Sequence, residues 1–276
     1  LFLLAGGMNL YDSITHSFST AGTGGFSNRN ASIGFYDSAY IDGVITVFMI
    51  LFGVNFNMYF LLLIKEVKSV WKNEEVRAYF IIIAGAIAAI TINTYSVYES
   101  IGKAFRYSAF QVASIITTTG FGTADFNMWP EFSKAILMTL MVIGACAGST
   151  GGGMKVSRFL ILQKSIKKEV KQLLHPKAVS VTRINEKKVG ADTLRGVYIY
   201  FFAYILILVV SVLIVSLNNF DFSTTFSSVL TTLNNVGPGI SLVGPTENFA
   251  KFSGLSKLVF CFDMLAGRLE IFPILM

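Results

Sequence analysis

The chain has 276 residues, of which 53% are hydrophobic and 14% charged, with a mean hydropathy of +0.62. This balance excludes an ordinary soluble domain and places the chain in a bilayer. The net charge of +6 does not indicate nucleic acid: four Lys and Arg fall in residues 65–77 and eleven in residues 155–195, fifteen of 22, beside apolar stretches and without an aromatic-interleaved basic module.

Four stretches carry no Asp, Glu, Lys or Arg: residues 43–64, 78–98, 135–154 and 196–220. Each is long enough to cross about 30 Å of hydrocarbon. A fifth, 256–276, is apolar apart from Lys257, Asp263, Arg268 and Glu270. The positive-inside rule puts the two basic segments in the cytoplasm and the loops around Asn28, Asp125 and Asp221 on the opposite side.

Three strings share the form x-x-Gly-x-Gly: Thr20-Ala21-Gly22-Thr23-Gly24, Thr118-Thr119-Gly120-Phe121-Gly122 and Asn235-Val236-Gly237-Pro238-Gly239. Each follows a Ser/Thr-rich stretch and precedes an apolar span. The intervals are 98 residues from Gly22 to Gly120 and 117 from Gly120 to Gly237, which suit a repeated unit of two spans and a re-entrant hairpin. A dehydrated cation needs several backbone carbonyls aimed at one axis, and alternate glycines allow the backbone conformations this demands. Gly22, Gly120 and Gly237 are therefore the expected filter glycines. Thr20, Ala21, Thr23, Thr118, Thr119, Phe121, Asn235, Val236 and Pro238 complete the candidate ion-binding strings. The alternative is three ordinary membrane turns.

In chain order, residues 1–72 form a first unit: the end of a span at 1–4, a short helix over 9–19, the loop 22–26 and a returning span over 40–70. Residues 73–190 form a second unit, with a span at 78–98, a short helix over 103–117, the Gly120 loop and a return over 131–174. Residues 191–276 form a third unit, with a span at 194–217, a short helix over 221–233 N-capped by Asp221, the Gly237 loop and a last span. Short helices of about 12 residues reach about 18 Å, halfway across, and point their carbonyl ends at the pore centre, where they favour a cation. A pore of such loops takes about four of them, and this chain carries three. It opens with Leu1 inside apolar sequence. The expected fold is an all-α polytopic membrane protein of tandem span, pore-helix and span repeats around a pseudo-fourfold ion pore with re-entrant filter loops, read as a fragment lacking its first repeat.

Residues 144–154 hold five glycines and two alanines in the middle of a span: Gly144, Gly148, Gly151, Gly152 and Gly153 with Cys146, Ser149 and Thr150. The glycines support a helix poorly. Small-residue helix packing is one reading; the other is a broken helix lining a water-filled path. Arg268 lies in the last span, where it either pairs with Glu270 or Asp263 or serves the pore. Cys146 and Cys261 sit in apolar spans, which argues against a disulfide framework or a metal site.

The strings Ser17–Ser27, Thr117–Asp125, Gly148–Lys155, Asn234–Gly239 and Gly267–Phe272, in this order, closely resemble the membrane subunit of the Trk/Ktr/HKT superfamily of potassium transporters, of the TrkH type. The resemblance covers essentially the whole chain. It implies four pseudo-repeats around one path for K+, which is the transported ion and not a cofactor, with glycine at each first filter position tied to potassium preference. It further implies that residues 144–154, with Lys155, form an intramembrane gating loop, and that Arg268 faces the pore beside it as a barrier to cations. A homodimer, a bacterial cytoplasmic (inner) membrane location and a cytoplasmic nucleotide-binding regulatory subunit of TrkA or KtrA type follow from the same resemblance. The basic run Lys164, Lys167, Lys168, Lys171, Lys177, Arg183, Lys187 and Lys188 reads as a solvated topology signal, a contact for anionic lipid, or the face for that partner. No dinucleotide or P-loop fingerprint occurs in the chain.

Two other classes compete with a potassium-conducting subunit, itself either a channel-like uniporter or a symporter. An intramembrane hydrolase would have to draw its histidine base from His16 or His175, and neither a Gly-x-Gly-Asp nor a Gly-x-Ser-Gly motif is present. A non-conducting scaffold would have no need of glycines in a common register.

Overall fold

Charge-free sequence sets the longest helices. In a computed structural model that describes residues 1–175 and 181–269, α6 (Glu74–Tyr98) and α10 (Ala191–Val215) are long and apolar enough to cross a membrane. Between and around them stand α1 (Phe2–Ala5), α2 (Leu10–Ala21), α3 (Ala39–Phe52), α4 (Phe56–Leu63), α5 (Val67–Lys72), α7 (Ile101–Ile116), α8 (Glu131–Ile143), α9 (Val156–Leu174), α11 (Phe222–Leu233) and α12 (Gly254–Arg268). The described residues are mostly helical. The exception to an all-α reading is a two-stranded antiparallel hairpin, β1 (Arg183–Ile184) with β2 (Lys187–Lys188), in the basic segment. Pro176 to Ser180, including Lys177, and Glu270 onward lie outside the described residues.

The three short helices α2, α7 and α11 form where Ser- and Thr-rich sequence is expected to enter the membrane halfway. Asn9 caps α2 by accepting from Asp12 N at 2.7 Å, and Asp221 caps α11 by accepting from Thr224 N at 3.0 Å. These helices bury polar faces. In α11, Thr224, Ser227, Ser228 and Thr231 are all buried, and Ser228 Oγ and Thr232 Oγ1 donate to Thr225 O (2.8 Å) and Ser228 O (2.9 Å) on their own helix. Such back-bonding lets hydroxyls leave water without losing a partner.

The main core joins α6, α7 and α8 through Tyr79, Ile83, Ile90, Ile115, Ile116, Leu137 and Met141, and it extends to Leu230 and Val236 of the third unit. The outward faces are apolar instead. Phe202, Leu206 and Leu213 of α10 are exposed, as a lipid-facing span requires.

One expectation is corrected. Residues 40–70 do not form an unbroken returning span: α3 and α4 meet at 91°, and α5 is separate. The cause is local. A Cβ at Gly53 would fall 2.2 Å from the hydroxyl of Tyr79, and Asn55 starts a new helix by accepting from Asn57 N at 2.9 Å. The backbone groups freed at the bend pair with the glycine-rich segment of the second unit: Cys146 N donates to Gly53 O (3.0 Å) and Phe56 N to Gly148 O (3.1 Å). The expected break in the second return is present, with α8 ending at Ile143 and α9 starting at Val156.

Candidate ion-path site

The three pore-helix ends unwind identically. In α7 the N–H groups of Thr117, Thr118 and Thr119 donate to Ala113 O, Ile115 O and Ser114 O; in α11 those of Asn234, Asn235 and Val236 donate to Leu230 O, Thr232 O and Thr231 O. In α2 the same three bonds are made by Gly22, Thr23 and Gly24, to Phe18 O, Thr20 O and Ser19 O. The left-handed residues agree: Thr23, Thr118 and Asn235 have φ of 49°, 55° and 55°, followed two positions later by Gly25, Gly120 and Gly237 at 67°, 84° and 107°.

This equivalence corrects the register of the first string. Gly25, not Gly22, stands with Gly120 and Gly237. Gly22 corresponds to Thr117 and Asn234, with an ordinary right-handed φ of −81°, while Thr20 and Ala21 belong to the helix itself. Of the first candidate string Thr20, Ala21, Gly22 and Thr23, only Thr23 lies in the loop equivalent to Thr118-Thr119-Gly120-Phe121 and Asn235-Val236-Gly237-Pro238; its companions there are Gly24, Gly25 and Phe26. The tract Gly22-Thr23-Gly24-Gly25 offers two glycine frames, and the point where α2 stops selects the second.

The loops pack in sequence around a centre. A Cβ on Gly25 would lie 1.9 Å from Thr119 O, and one on Gly120 would lie 2.0 Å from Val236 O, the equivalent atom of the next loop. A Cβ on Gly237 would meet nothing. Between the Gly237 loop and the first loop lies a cavity of about 1000 Å³, lined by Phe18, Thr23 and Gly24 on one side and Asn235, Val236 and Gly237 on the other. The first loop abuts the second and the second abuts the third, and the cavity leaves an open sector between the third and the first. Side chains brace the second and third: Ser114 Oγ donates to Phe121 O (2.7 Å) and, at the equivalent positions, Thr231 Oγ1 donates to Pro238 O (3.2 Å).

Residues 144–154 lie against all three helix ends. Thr23 Oγ1 donates to Thr150 O at 2.9 Å, and Gly152 N donates to Thr118 Oγ1 at 2.6 Å. A Cβ on Gly151 would come within 3.0 Å of Thr117 O, and one on Gly152 within 2.7 Å of Asn234 O. Gly144, Gly148 and Gly153 take φ of 70–72°, the left-handed conformation that side chains resist. Small residues here are required by close backbone approach as well as by the turns. Ser149 Oγ donates back to Cys146 O at 2.7 Å, and the buried Lys155 ammonium donates to Gly151 O.

Arg268, at the end of α12, donates through Nη1 to Thr150 O at 3.0 Å and through Nη2 to Gly22 O at 3.5 Å. Asp263 is not its partner: Asp263 is buried and accepts from Ser211 Oγ at 2.7 Å. Glu270 lies outside the described residues.

Two acids that sequence reasoning missed support this arrangement. Glu75, within the first basic segment and without a motif to mark it, is buried and accepts from the backbone of residues 147 and 157. Asp12 of α2 is buried and ties that helix to the segment after the first loop: Oδ2 accepts from Tyr36 Oη at 2.5 Å and Arg29 Nη2 at 2.9 Å, and Oδ1 accepts from Asn28. Hydrogen bonds from Tyr36, Asn28 and Arg29 hold the Asp12 carboxyl well below the usual carboxylate range. His16 sits beside it, between Asp12 O (2.7 Å) and Ser27 Oγ (2.9 Å), a bracing position, and His175 is far along the chain in the exposed end of α9.

Comparison with known proteins agrees with this architecture. A family profile described as TrkH, cation transport protein, matches residues 4–276. The Trk system potassium uptake protein TrkH of Escherichia coli K12 is 38% identical over 280 residues and that of Salmonella typhimurium 37% over 278, in each case across 100% of this chain. The crystal structure of the potassium transporter TrkH from Vibrio parahaemolyticus superposes with a TM-score of 0.92 at 38% identity, covering 99% of this chain and 59% of that one. The chain spans 57% of the length of the two curated relatives. It has a membrane-transporter fold, and it belongs to the TrkH family of cation transport proteins.

Proposed function

We propose that this chain carries most of the ion path of a potassium uptake system in a bacterial cytoplasmic membrane, with K+ dehydrated by the loops 23–26, 118–121 and 235–238. The observation that carries this reading is the shared register of the three loops, in which Gly25 and Gly120 are backed against the carbonyls of Thr119 and Val236. Side chains larger than hydrogen do not fit there, so the loops approach closely enough for backbone carbonyls of several loops to replace the hydration shell of one ion. Three helix C-termini converging on the loops add partial negative charge and favour a cation. The names of the relatives, potassium uptake proteins and a potassium transporter, support the choice of ion.

The open sector between Gly237 and Gly24 takes a fourth loop of the same kind, completing a ring of span, pore-helix and span units whose other members are residues 1–72, 73–190 and 191–276. Residues 144–154 act as the gate on the inner side of the filter. They lie against the ends of all three pore helices, and Arg268 and Lys155 bring positive charge to the same place, which raises the barrier to a passing cation. The basic α9 and hairpin face the cytoplasm by the positive-inside rule, and receive a regulatory nucleotide-binding subunit of TrkA or KtrA type. The working assembly is a homodimer of membrane subunits. Uniport and cation-coupled symport share this path.

The test is growth of a potassium-uptake-deficient bacterium at limiting potassium with the full-length protein carrying Gly120 or Gly120→Ser. Rescue by the glycine form, and rescue weakened or made sodium-sensitive by serine, is expected. Equal rescue by both forms, with equal K+ over Na+ flux in liposomes, refutes the filter assignment.

A further inference from the structure

We infer that Glu75 is the latch of the loop 144–154, a positioning residue that grips both of its necks through one carboxylate oxygen. Oε1 accepts from Ala147 N at 2.7 Å and from Ser157 N at 3.1 Å. Ala147 precedes, and Ser157 follows, the stretch that lies against Thr118 and Asn234. A single buried atom from another helix therefore joins the start and the end of that excursion. The inference rests on the gating role proposed above.

The loop's other anchors either hold one neck to a neighbouring element or bond the two necks to each other. Cys146 N and Gly148 O bond the bend between α3 and α4, and Val156 N bonds Ala145 O within the loop's own shoulders. Glu75 alone, among the hydrogen bonds of the described residues, ties both necks to a helix outside the broken span. A side-chain carbonyl-type oxygen at this reach suits the task, since its two lone pairs can take both N–H groups withdrawn from water at the helix break.

The first turn of α6 carries more than the latch. Glu74 pairs with Lys164 of α9, and its own N–H donates to Asn185 Oδ1 in the turn of the cytoplasmic hairpin at 2.8 Å. Displacement of α9 or the hairpin thus acts on the same helical turn that holds the loop.

The experiment is 86Rb+ uptake into liposomes by the full-length protein, per folded transporter, with the Rb+/Na+ ratio as a second readout. Glu75→Ala is expected to raise uptake in the resting state about tenfold, the scale for losing a buried hydrogen bond, with the ratio unchanged. Glu75→Gln keeps a carbonyl oxygen at the same reach and is expected to stay near wild type. Glu75→Asp keeps the charge, falls short of the necks and is expected to leak. The reverse order, with Asp tight and Gln leaky, would assign Glu75 a charge role and overturn the latch, as would wild-type uptake in the Ala and Asp variants. Where Glu75→Ala does not fold, the Gln and Asp pair decides. Deletion of residues 149–152 separates the two ideas: raised uptake there with silent Glu75 variants rejects the latch alone, whereas unchanged uptake rejects the gate and the latch with it.

Discussion

Gly25 faces the carbonyl of Thr119 so closely that a Cβ on the glycine would lie 1.9 Å from that oxygen. Backbone conformation adds to the constraint, since its φ of 67° disfavours any side chain by about 1–2 kcal/mol before the overlap is counted. Gly25→Ala and Gly120→Ala are expected to lower the thermal stability of the purified protein most. Gly237→Ala, strained in φ but open in space, should cost less, and Gly22→Ala, right-handed and uncrowded by neighbouring loops, least. Melting temperatures in one detergent check the order, and a Gly22 variant as damaging as the Gly25 variant would contradict the register.

Arg268 of α12 holds the loop through Thr150 O. Arg268→Gln is expected to increase resting cation flux per molecule, by about tenfold for loss of a charged hydrogen bond together with its positive field. Liposome uptake normalised to folded protein checks this. A fall in yield with unchanged flux per molecule would leave only a structural role.

Gly152 stands under the end of α11, where a Cβ would be 2.7 Å from Asn234 O. Gly152→Val must therefore displace the loop from the pore-helix ends. Flux is expected to change severalfold while membrane abundance stays within about twofold, because in the proposed reading residues 149–153 border the ion path. Immunoblotting beside uptake separates these effects, and a loss of abundance that accounts for the whole change in flux would contradict it.

Much of the architecture is legible in the amino-acid sequence. Short helices at the three expected places end within a few residues of the sequence boundaries, because Ser- and Thr-rich segments capped by Asn9 or Asp221 cannot be ordinary spans. The glycine count of residues 144–154 correctly signals a break. Register and partnership are not legible in the same way. Gly22-Thr23-Gly24-Gly25 satisfies the glycine pattern in either frame, and only the last turn of α2 distinguishes them. The 91° bend between α3 and α4 depends on Tyr79, remote in sequence, and on Cys146 and Gly148, which take up the freed backbone groups. Glu75 looks like one more charge beside Arg77, and its burial follows from the return of α8 and α9 against it.

Asp12 gives a pH dependence of defined sign. Its carboxyl is held down in the folded protein by Tyr36, Asn28 and Arg29, so its contribution is fully present above the ordinary carboxylate pKa of about 3.9 and is lost as pH falls through the lower folded value. Asp12→Asn is expected to melt below wild type by a constant margin from about pH 8 to pH 5, with the margin closing only in stronger acid. A margin that closes between pH 7 and pH 5 would contradict the assignment.

The central claim is that loops in one register, with Gly25 as the first member, select potassium. The direct measurement is the K+ over Na+ permeability ratio of the full-length protein in liposomes with Gly25→Ser, compared with Gly22→Ser. The ratio is predicted to fall toward unity for Gly25→Ser and to stay near wild type for Gly22→Ser. A selectivity loss confined to Gly22→Ser, or absent from both, would contradict the account.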